Sequence, residues 1–378
     1  MIYFDNSATT KPYQEVLESY LTVSSDYFGN PSSLHGIGAQ AENLLTKART
    51  QIANLLDVKA SEIFFTSGGT ESNNMAIKGV AMKHRTRGRH LITTAIEHPS
   101  VAKAMKQLEQ LGFDVTYLPV NRQGIVSVSD VEKAIRQDTI LVSIMHVNNE
   151  LGTIQPITEI GRLLKNYPKV LFHVDAVQSI GKVPLNLHQW GIDLCSFSAH
   201  KFHGLKGTGF LFIREGVQLD PLLAGGNQEW KRRSGTENVA GAVSSAKALR
   251  LLLEKSKTGT LMMKNIQSLL TDGLHEINGI NVQTVPSIAA PHIVNFTIDG
   301  MKAETFIHLL EKDTIYASTT SACSSKNQSP SKTLLAMGVS EQEALRSIRL
   351  SLSFDNTEEE AWFVIKTIKK ASLQLRKE

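Results

Sequence analysis

The sequence predicts an α/β protein with a large domain on a mainly parallel sheet, followed by a smaller α+β domain. Short apolar runs alternate with segments of helical periodicity between residues 63 and 213, which is typical of βαβ units. Runs such as 140–147 are apolar almost throughout, as expected for strands buried on both faces of a parallel sheet. Beyond residue 277 shorter elements follow, and we place the large domain at 15–258 and the small domain at 1–14 and 259–378.

Each element is predicted from its own pattern. Residues 1–34 are rich in turn formers and predict irregular structure, whereas apolar residues at helical spacing predict helices over 39–56 and 239–277. The strands predicted for the large domain are 63–65, 91–95, 115–118, 140–147, 170–174, 192–197 and 210–213. The helices predicted between them are 72–83, 99–111, 131–136 and 157–164. The small domain has predicted strands at 292–298, 316–318 and 348–353, and predicted helices at 304–310, near 333 and at 358–375.

The composition is that of an ordinary globular protein. Of the 378 residues, 41% are hydrophobic and 20% are charged, and 40 basic against 36 acidic residues give a net charge of +4. This balance argues against nucleic acid as the main partner, because nucleic-acid-binding domains are strongly basic. The basic cluster at 83–90 is interpreted first as a solvated helix end, and otherwise as a docking patch for an acidic partner or RNA.

The two cysteines, Cys195 and Cys323, argue against a disulfide framework and are compatible with a reducing compartment. The first residues lack the basic and apolar regions of a secretion signal. No apolar run approaches the roughly 20 residues that a membrane-spanning helix needs. We therefore expect a cytoplasmic protein without a membrane partner.

A lysine stands between two predicted strands in the stretch Ser198-Ala199-His200-Lys201. A lysine that is desolvated, or held beside other cationic groups, has a lowered pKa and can form a Schiff base. These residues alone leave two other interpretations open, a solvated lysine at a strand end and a hydrolytic Ser-His pair.

The stretch 67–70 (Ser-Gly-Gly-Thr) links a predicted strand to a predicted helix. A glycine pair lets the backbone approach a ligand, and the start of the helix offers free N–H groups and a positive dipole to a phosphate. The alternative is a tight turn with an ordinary helix cap.

Two further polar residues follow predicted strands. Asp175 would need a cationic or hydrogen-bonding partner if buried, and a protonated pyridine nitrogen is one; the alternative is a helix N-cap. His98 could stack on a flat ring or move protons, although a lone histidine is more often structural. A phosphate-binding turn, an aspartate, a histidine and a lysine at strand ends together indicate pyridoxal phosphate.

Seven stretches resemble, in one order, the motifs of the cysteine desulfurase family (NifS/IscS-like), which are class V, fold type I pyridoxal phosphate enzymes. They are 66–74 (Thr-Ser-Gly-Gly-Thr-Glu-Ser-Asn-Asn), 97–98 (Glu-His), 145–152 (Met-His-Val-Asn-Asn-Glu-Leu-Gly), 173–178 (His-Val-Asp-Ala-Val-Gln), 198–201 (Ser-Ala-His-Lys), 233–238 (Arg-Ser-Gly-Thr-Glu-Asn) and 321–323 (Ser-Ala-Cys). The resemblance extends from residue 5 to about residue 355, and it implies the PLP-dependent transferase fold type I with a sheet of the seven-stranded type.

The resemblance also implies a role for each matching residue. Lys201 would hold pyridoxal phosphate as a Schiff base, and Asp175 would pair with its pyridinium nitrogen. Gln178 would hydrogen-bond the phenolic oxygen, and His98 would stack on the ring and assist in moving protons. The cofactor phosphate would be held by Gly69, Thr70, Ser198 and His200, together with Thr236 of a neighbouring subunit, which implies a homodimer. Asn149 and Arg349 would bind the substrate carboxylate, and Asn149 would contact the cofactor as well.

The same resemblance makes Cys323 the nucleophile. Cys323 lies in a run of small polar residues, whereas Cys195 lies in an apolar predicted strand and is expected to be inert core. L-cysteine would become L-alanine while its sulfur moves to Cys323 as a persulfide, which an acceptor protein takes by exchange. Thr320 stands where the family commonly has a glycine.

The sequence allows more than one sulfur acceptor and more than one reaction. The sequence ends soon after the last predicted helix, where housekeeping relatives carry a longer tail thought to dock the iron–sulfur scaffold. We therefore expect a dedicated tRNA or thiamine thiolation protein at least as readily as that scaffold. Other class V enzymes, such as a selenocysteine lyase or an aminotransferase, and a non-catalytic assembly protein are the alternatives. Cys323 argues against the aminotransferase.

Overall fold

The fold is that of a computed structural model, which describes residues 1–319 and 330–374. The strands are β1 (Ile2–Tyr3), β2 (Ile63–Thr66), β3 (His90–Thr94), β4 (Asp114–Leu118), β5 (Thr139–Met145), β6 (Leu171–Asp175), β7 (Leu194–Ser198), β8 (Gly209–Ile213), β9 (Ile280–Val282), β10 (Ile293–Ile298), β11 (Ile315–Tyr316), β12 (Ser318–Thr319) and β13 (Ser347–Ser351). The helices are α1 (Gln14–Asp26), α2 (Gly36–Leu55), α3 (Gly69–His84), α4 (Pro99–Gln110), α5 (Val128–Ala134), α6 (Ile157–Leu164), α7 (Val239–His275), α8 (Ala303–Lys312), α9 (Lys332–Ala336), α10 (Glu341–Ala344) and α11 (Glu358–Gln374).

The central sheet has seven strands in the order β2-β8-β7-β6-β5-β3-β4. Neighbouring strands are parallel, except that β8 runs antiparallel to both β2 and β7. This confirms the prediction of a mainly parallel sheet. The carboxyl ends of β2, β3, β5, β6 and β7 therefore lie along one edge, which is where ligands bind in such sheets.

Helices cover both faces of this sheet. Along β5, Val142 and Ile144 are buried against the helix layer of α2, α5, α6 and α7, whereas Ile140 and Leu141 are buried in the cluster that α3 and α4 complete. Burial on both faces explains why β5 is apolar almost throughout rather than alternating.

A second sheet is antiparallel and has the order β12-β13-β10-β9. Phe296 and Ile348 pair across β10 and β13 and are fully buried in a separate cluster with residues of α7, α8 and α11. The helix α7 contributes to the cores of both sheets, with Leu249 in the first and Leu270 in the second. The predicted boundary at residue 258 falls within this helix and stays a prediction.

The prediction of irregular structure over residues 1–34 is wrong for α1. Val16 and Val23 are buried along one side of this helix, with Tyr20 and Tyr27 packed at the same spacing. The turn formers on both sides of the helix concealed that period in the sequence. Among the helices of residues 1–319 and 330–374, none combines the length and the apolar composition needed to cross a membrane.

Candidate active site

The candidate site lies at the carboxyl edge of the central sheet, where β2, β6 and β7 end. Asp175 is the last residue of β6, and Ser198 is the last residue of β7. A 3-10 turn over Ala199–Lys201 follows β7 directly, and α3 begins at Gly69 just after β2. The parallel register therefore brings together residues that are more than 100 positions apart in the sequence.

The side chain of Lys201 is held by the N-terminal segment of the chain. Its Nζ donates hydrogen bonds to the carbonyl oxygens of Ser7 at 2.5 Å and Ala8 at 2.6 Å. The same segment binds the turn that carries the lysine, because the Thr10 N–H donates to the His200 carbonyl at 2.8 Å. No pattern in the sequence predicts that Ser7 and Ala8 lie beside Lys201.

The turn before α3 has the shape of an anion site. Gly68 has φ 144°, a conformation that side chains rarely adopt. A Cβ on Gly69 would lie 2.8 Å from Val177 Cγ2 and 3.4 Å from Ser198 Cβ, so only glycine allows this close approach. The first N–H groups of α3, including those of Gly69 and Thr70, have no partner within the helix and point out of its positive end.

His200 lies on the 3-10 turn that carries Lys201. Its Nδ1 is 3.2 Å from Thr9 Oγ1, and burial together with the charge of Lys201 lowers the pKa of His200 to about 4. The ring is therefore neutral near pH 7 and can act there as a hydrogen-bond donor or acceptor, not as a cation.

Asp175 is buried, with 6% of its surface exposed. Its Oδ1 accepts a hydrogen bond from the Val177 N–H at 3.0 Å, and its Oδ2 accepts one from Asn73 Nδ2 at 2.7 Å. No ion pair of Asp175 occurs within residues 1–319 and 330–374. A buried carboxylate without a cation is costly, and a protonated pyridine nitrogen would supply one.

His98 caps the N-terminus of α4 and accepts a hydrogen bond from the Ser100 N–H at its Nδ1. Burial lowers the pKa of His98; Asp175 opposes this shift, and Lys201 adds to it, so both charged groups lie within electrostatic reach of the ring. Gln178 donates to the Ser7 carbonyl at 3.0 Å, and its Oε1 is 3.4 Å from His292 Nε2. The structure thus gathers His98, Asp175, Gln178 and Lys201 around one location.

Arg349 lies on β13 of the second sheet and contacts the N-terminal segment that also holds Lys201. One guanidinium nitrogen donates to the Asn149 carbonyl at 2.7 Å, and the other pairs with Asp5 at 3.1 Å. Its Nε is buried without a hydrogen-bond partner in the described part of the chain. Burial raises the pKa of Asp5, and the positive charges of Arg349 and Lys201 act against that shift. Both cations are therefore close enough to Asp5 to interact with its carboxylate.

Two predicted site residues are not brought into this group. Cys323 lies outside the described residues. The residues before it end on β12, where Ser318 pairs with Arg349, and the chain after it is held where Ser331 and Thr333 donate to the Glu150 carboxylate. Thr236 is exposed, between the 3-10 turn over Gln228–Lys231 and α7. Cys195 lies in the core, where burial raises the pKa of its thiol.

Sequence reasoning missed several residues that contact the predicted ones. Lys182 is almost fully buried and donates to the Lys201 carbonyl at 3.2 Å, and burial lowers the pKa of Lys182 to about 7. Asn73 and Ser100 connect Asp175 with His98. Asn73 lies in the stretch 66–74 that resembles a family motif, and Lys182 lies among apolar residues, so the sequence could have indicated a site role for both. No sequence pattern marks Ser100.

The residues present fit pyridoxal phosphate on three structural observations. The glycine-dependent turn at α3 can take a phosphate, buried Asp175 lacks a cation among the described residues, and Arg349 Nε is an orphaned donor suited to a carboxylate. Lys201 lies within electrostatic reach of His98 and Asp5.

Comparison with known proteins gives the family. The model described as "Aminotransferase class-V" matches residues 2–362. The chain is 48% identical to a NifS/IcsS protein homolog of Lactobacillus delbrueckii subsp. bulgaricus over 96% of this chain and 94% of that protein. It is 45% identical to the cysteine desulfurase IscS of Methanosarcina thermophila over 99% and 93% of the two chains. A solved NifS-like protein superposes with a TM-score of 0.92 at 42% identity, covering 98% of each chain. The chain belongs to the class-V aminotransferase family of pyridoxal phosphate enzymes, among its NifS/IscS-like cysteine desulfurases.

Proposed function

We propose that this protein is a pyridoxal phosphate-dependent cysteine desulfurase that converts L-cysteine to L-alanine and carries the sulfur as a persulfide on Cys323. The observation that carries the proposal is the buried Asp175 carboxylate, without a cation in the described chain, on the strand next to the one that leads into Lys201. That pair of residues is suited to hold a protonated pyridine ring and the carbonyl carbon attached to it.

The residues that would hold the cofactor have distinct tasks. Lys201 would bind it covalently, Asp175 would keep its ring nitrogen protonated, and Gln178 would hydrogen-bond its phenolic oxygen while His98 covers one ring face. Gly69, Thr70, Ser198 and His200 would surround its phosphate at the N-terminus of α3. When bound, pyridoxal phosphate supplies a ring that withdraws electrons from the substrate α-carbon.

The substrate carboxylate would bind to Arg349 and Asn149. The Nε of Arg349 is buried without a hydrogen-bond partner among residues 1–319 and 330–374, and the contact of its terminal nitrogens with Asp5 and the Asn149 carbonyl fixes the plane of the guanidinium. A planar guanidinium is well suited to orient a carboxylate. Fixing the carboxylate orients the substrate so that its sulfur is presented to a nucleophile.

The chain's own groups would then move protons and sulfur. The Lys201 amine would transfer protons at the substrate α-carbon. The Cys323 thiolate attacks the sulfur of L-cysteine; the new S–S bond forms as the C–S bond breaks, and the carbon fragment keeps the bonding electrons and gains a proton. L-cysteine and a thiol thus give L-alanine and a persulfide without an external oxidant or reductant. Cys323 follows Thr319 by four residues, a length of chain that spans at most ~14 Å.

Two partners complete the proposal. A second copy of the chain would contribute Thr236 to the cofactor phosphate, and the exposure of Thr236 supports this. A protein thiol would take the sulfur from Cys323 by exchange, either on an iron–sulfur scaffold or on a dedicated tRNA or thiamine thiolation protein.

The test is product analysis with L-cysteine and a reducing thiol. We expect alanine and sulfide in equal amounts, with sulfide lost in Cys323→Ala while the yellow cofactor stays bound. Formation of a keto acid instead of alanine would reassign the protein to aminotransfer, and alanine formed only from selenocysteine would make it a selenocysteine lyase. A purified protein that binds no cofactor through Lys201 would favour a non-catalytic role.

A further inference from the structure

We propose that Asn73 and Ser100 form a hydrogen-bonded bridge from Asp175 to His98, and that this bridge fixes the His98 ring as the tautomer with its proton on Nε2. In this role Asn73 and Ser100 are positioning residues that act through His98. The meaning for catalysis rests on the proposed function, whereas the tautomer can be measured independently of any activity.

The bridge joins three elements at the edge of the sheet. Asn73 on α3 donates from Nδ2 to Asp175 Oδ2 at 2.7 Å and to Ser100 Oγ at 2.8 Å. Ser100 Oγ lies 2.8 Å from His98 Nδ1. Asn73 is 1% exposed and Ser100 is 8% exposed, so water does not compete for these contacts.

The Asp175 carboxylate sets the direction of the hydrogen bonds that Asn73 makes. A carboxylate only accepts, so the amide group of Asn73 must turn its Nδ2 toward Asp175; the opposite orientation would put two acceptor oxygens 2.7 Å apart. The second N–H of Nδ2 then donates to Ser100 Oγ. The Ser100 hydroxyl keeps its own hydrogen for a further acceptor, and His98 Nδ1 is the other side-chain atom within hydrogen-bond distance of Ser100 Oγ in the described part of the chain.

The backbone imposes the same direction independently. Pro99 is the first residue of α4 and has no N–H, so the N–H of Ser100 is the first donor that the helix must satisfy. It donates to His98 Nδ1 at 3.2 Å. Two donors on the same nitrogen leave no room for a proton there, and the ring proton must therefore be on Nε2.

This tautomer limits what His98 can do in the resting enzyme. An Nε2–H can donate a hydrogen bond to the cofactor or the substrate, but it cannot take a proton from the substrate. Burial and the charge of Lys201 lower the pKa of His98, which keeps the ring neutral. Proton removal at the substrate is then left to Lys201, with His98 acting as a donor and as a ring that covers the cofactor.

The experiment is NMR of the holoenzyme with 15N-labelled histidine, in which long-range couplings identify the protonated nitrogen and His98→Gln assigns the signal. We expect an unprotonated Nδ1 and a protonated Nε2 in the wild type. In Ser100→Ala, protonation of His98 should become about five-fold easier, because one hydrogen bond that favours the neutral ring is lost. Ser100→Thr should restore the wild-type pH midpoint of His98 protonation. Asn73→Leu should shift this midpoint in the same direction as Ser100→Ala but by less.

Ser244→Ala is the matched control, because Ser244 is also a fully buried serine, and its hydroxyl donates within α7 to the Gly241 carbonyl. It should leave the His98 signals unchanged. A proton on Nδ1 in the wild type would overturn the proposal. An unchanged His98 tautomer and an unchanged protonation midpoint in Ser100→Ala would also overturn it. So would an unchanged midpoint in Asn73→Leu, because Ser100 would then act on His98 without Asp175. A protein with the Nε2–H tautomer that makes no alanine would refute the proposed function but not the bridge.

Discussion

The substitution Glu229→Gln should destabilise the protein and loosen the segment that carries Thr236. Arg49 and Glu229 form a buried ion pair with side chains 9% and 2% exposed. Two guanidinium nitrogens of Arg49 donate to Glu229 at 2.6 and 2.8 Å, and the Phe65 N–H donates to the same carboxylate at 3.0 Å. The pair holds Glu229, Trp230 and Lys231 at positive φ values of 45°, 51° and 66°, which side chains otherwise disfavour.

The expected cost follows from the charge that is left behind. Removing one partner of a buried ion pair costs about 3–5 kcal/mol, because the other charge stays buried without compensation. At about 2.1 cal/mol/K per residue, cooperative unfolding of the whole chain has an entropy of about 0.8 kcal/mol/K, so Tm should fall by about 4–6 °C. Arg49→Met combined with Glu229→Leu should be less destabilised than either single change, because no charge is then left unpaired.

The assay is thermal unfolding followed by tryptophan fluorescence, together with titration of the apoprotein with pyridoxal phosphate. Arg49 lies 4.6 Å from the ring centre of Trp230, so the share of the emission that comes from Trp230, one of three tryptophans, reports on this turn. Glu215→Gln is the control, since Glu215 pairs with Lys59 on the surface with more than 60% of each side chain exposed and should change stability by less than about 1 kcal/mol. If Glu229→Gln unfolds at the same temperature as Glu215→Gln, loss of the Glu229 charge does not leave a costly unpaired charge on Arg49, and the predicted destabilisation is wrong. If Glu229→Gln unfolds at a lower temperature but binds pyridoxal phosphate with unchanged affinity, the buried pair does not position Thr236 for the cofactor.

Three further predictions concern the site. Asp175→Asn should weaken binding of pyridoxal phosphate by about 10–150-fold, the equivalent of the ~1.5–3 kcal/mol of a hydrogen bond with a charged group, and equilibrium dialysis measures it; unchanged affinity would contradict the pairing. Arg349→Lys should raise KM for L-cysteine by about ten-fold or more while the cofactor spectrum is retained, because the planar fork is lost; an unchanged KM would remove Arg349 from the substrate site. Burial lowers the pKa of Lys182 to about 7 from an ordinary 10.5, so the unfolded chain binds more protons between these pH values and the stability of the apoprotein should rise with pH there, by up to about 1.4 kcal/mol per pH unit. Thermal unfolding of wild type and Lys182→Met at pH 7 to 10 should show this rise only in the wild type, and parallel pH dependences would contradict it.

Much of the fold could be predicted because burial leaves a pattern along the chain. Strands such as β5 are apolar almost throughout, and the helices between strands show their own period, so the element order was predictable. The reversal at β8 also had a signal: ten residues separate β7 from β8, too few for the usual crossover between parallel strands. The helix α1 was not predicted, because only Val16, Tyr20 and Val23 mark its buried side and the helix lies between two stretches of turn formers.

The candidate site divides in the same way. Asp175 and Lys201 were predictable because a charged residue at the end of a buried strand, or a few residues beyond it, has few structural reasons to be there. Ser7 and Ser100 were not, because small polar residues are common and their roles depend on tertiary contacts with residues far away in the sequence. The direction of the hydrogen bonds between Asp175 and His98 depends on where α3, α4 and β6 meet, which no local pattern encodes.

Sulfur transfer to Cys323 is tested by a single turnover with L-cysteine in the absence of an acceptor thiol, followed by mass spectrometry of the peptide that contains Cys323. We expect one alanine per active site and a mass increase of one sulfur atom on Cys323, with no such increase on Cys195, which is buried in the core. Alanine formed without added sulfur on Cys323, or sulfur found on Cys195 instead, would contradict it.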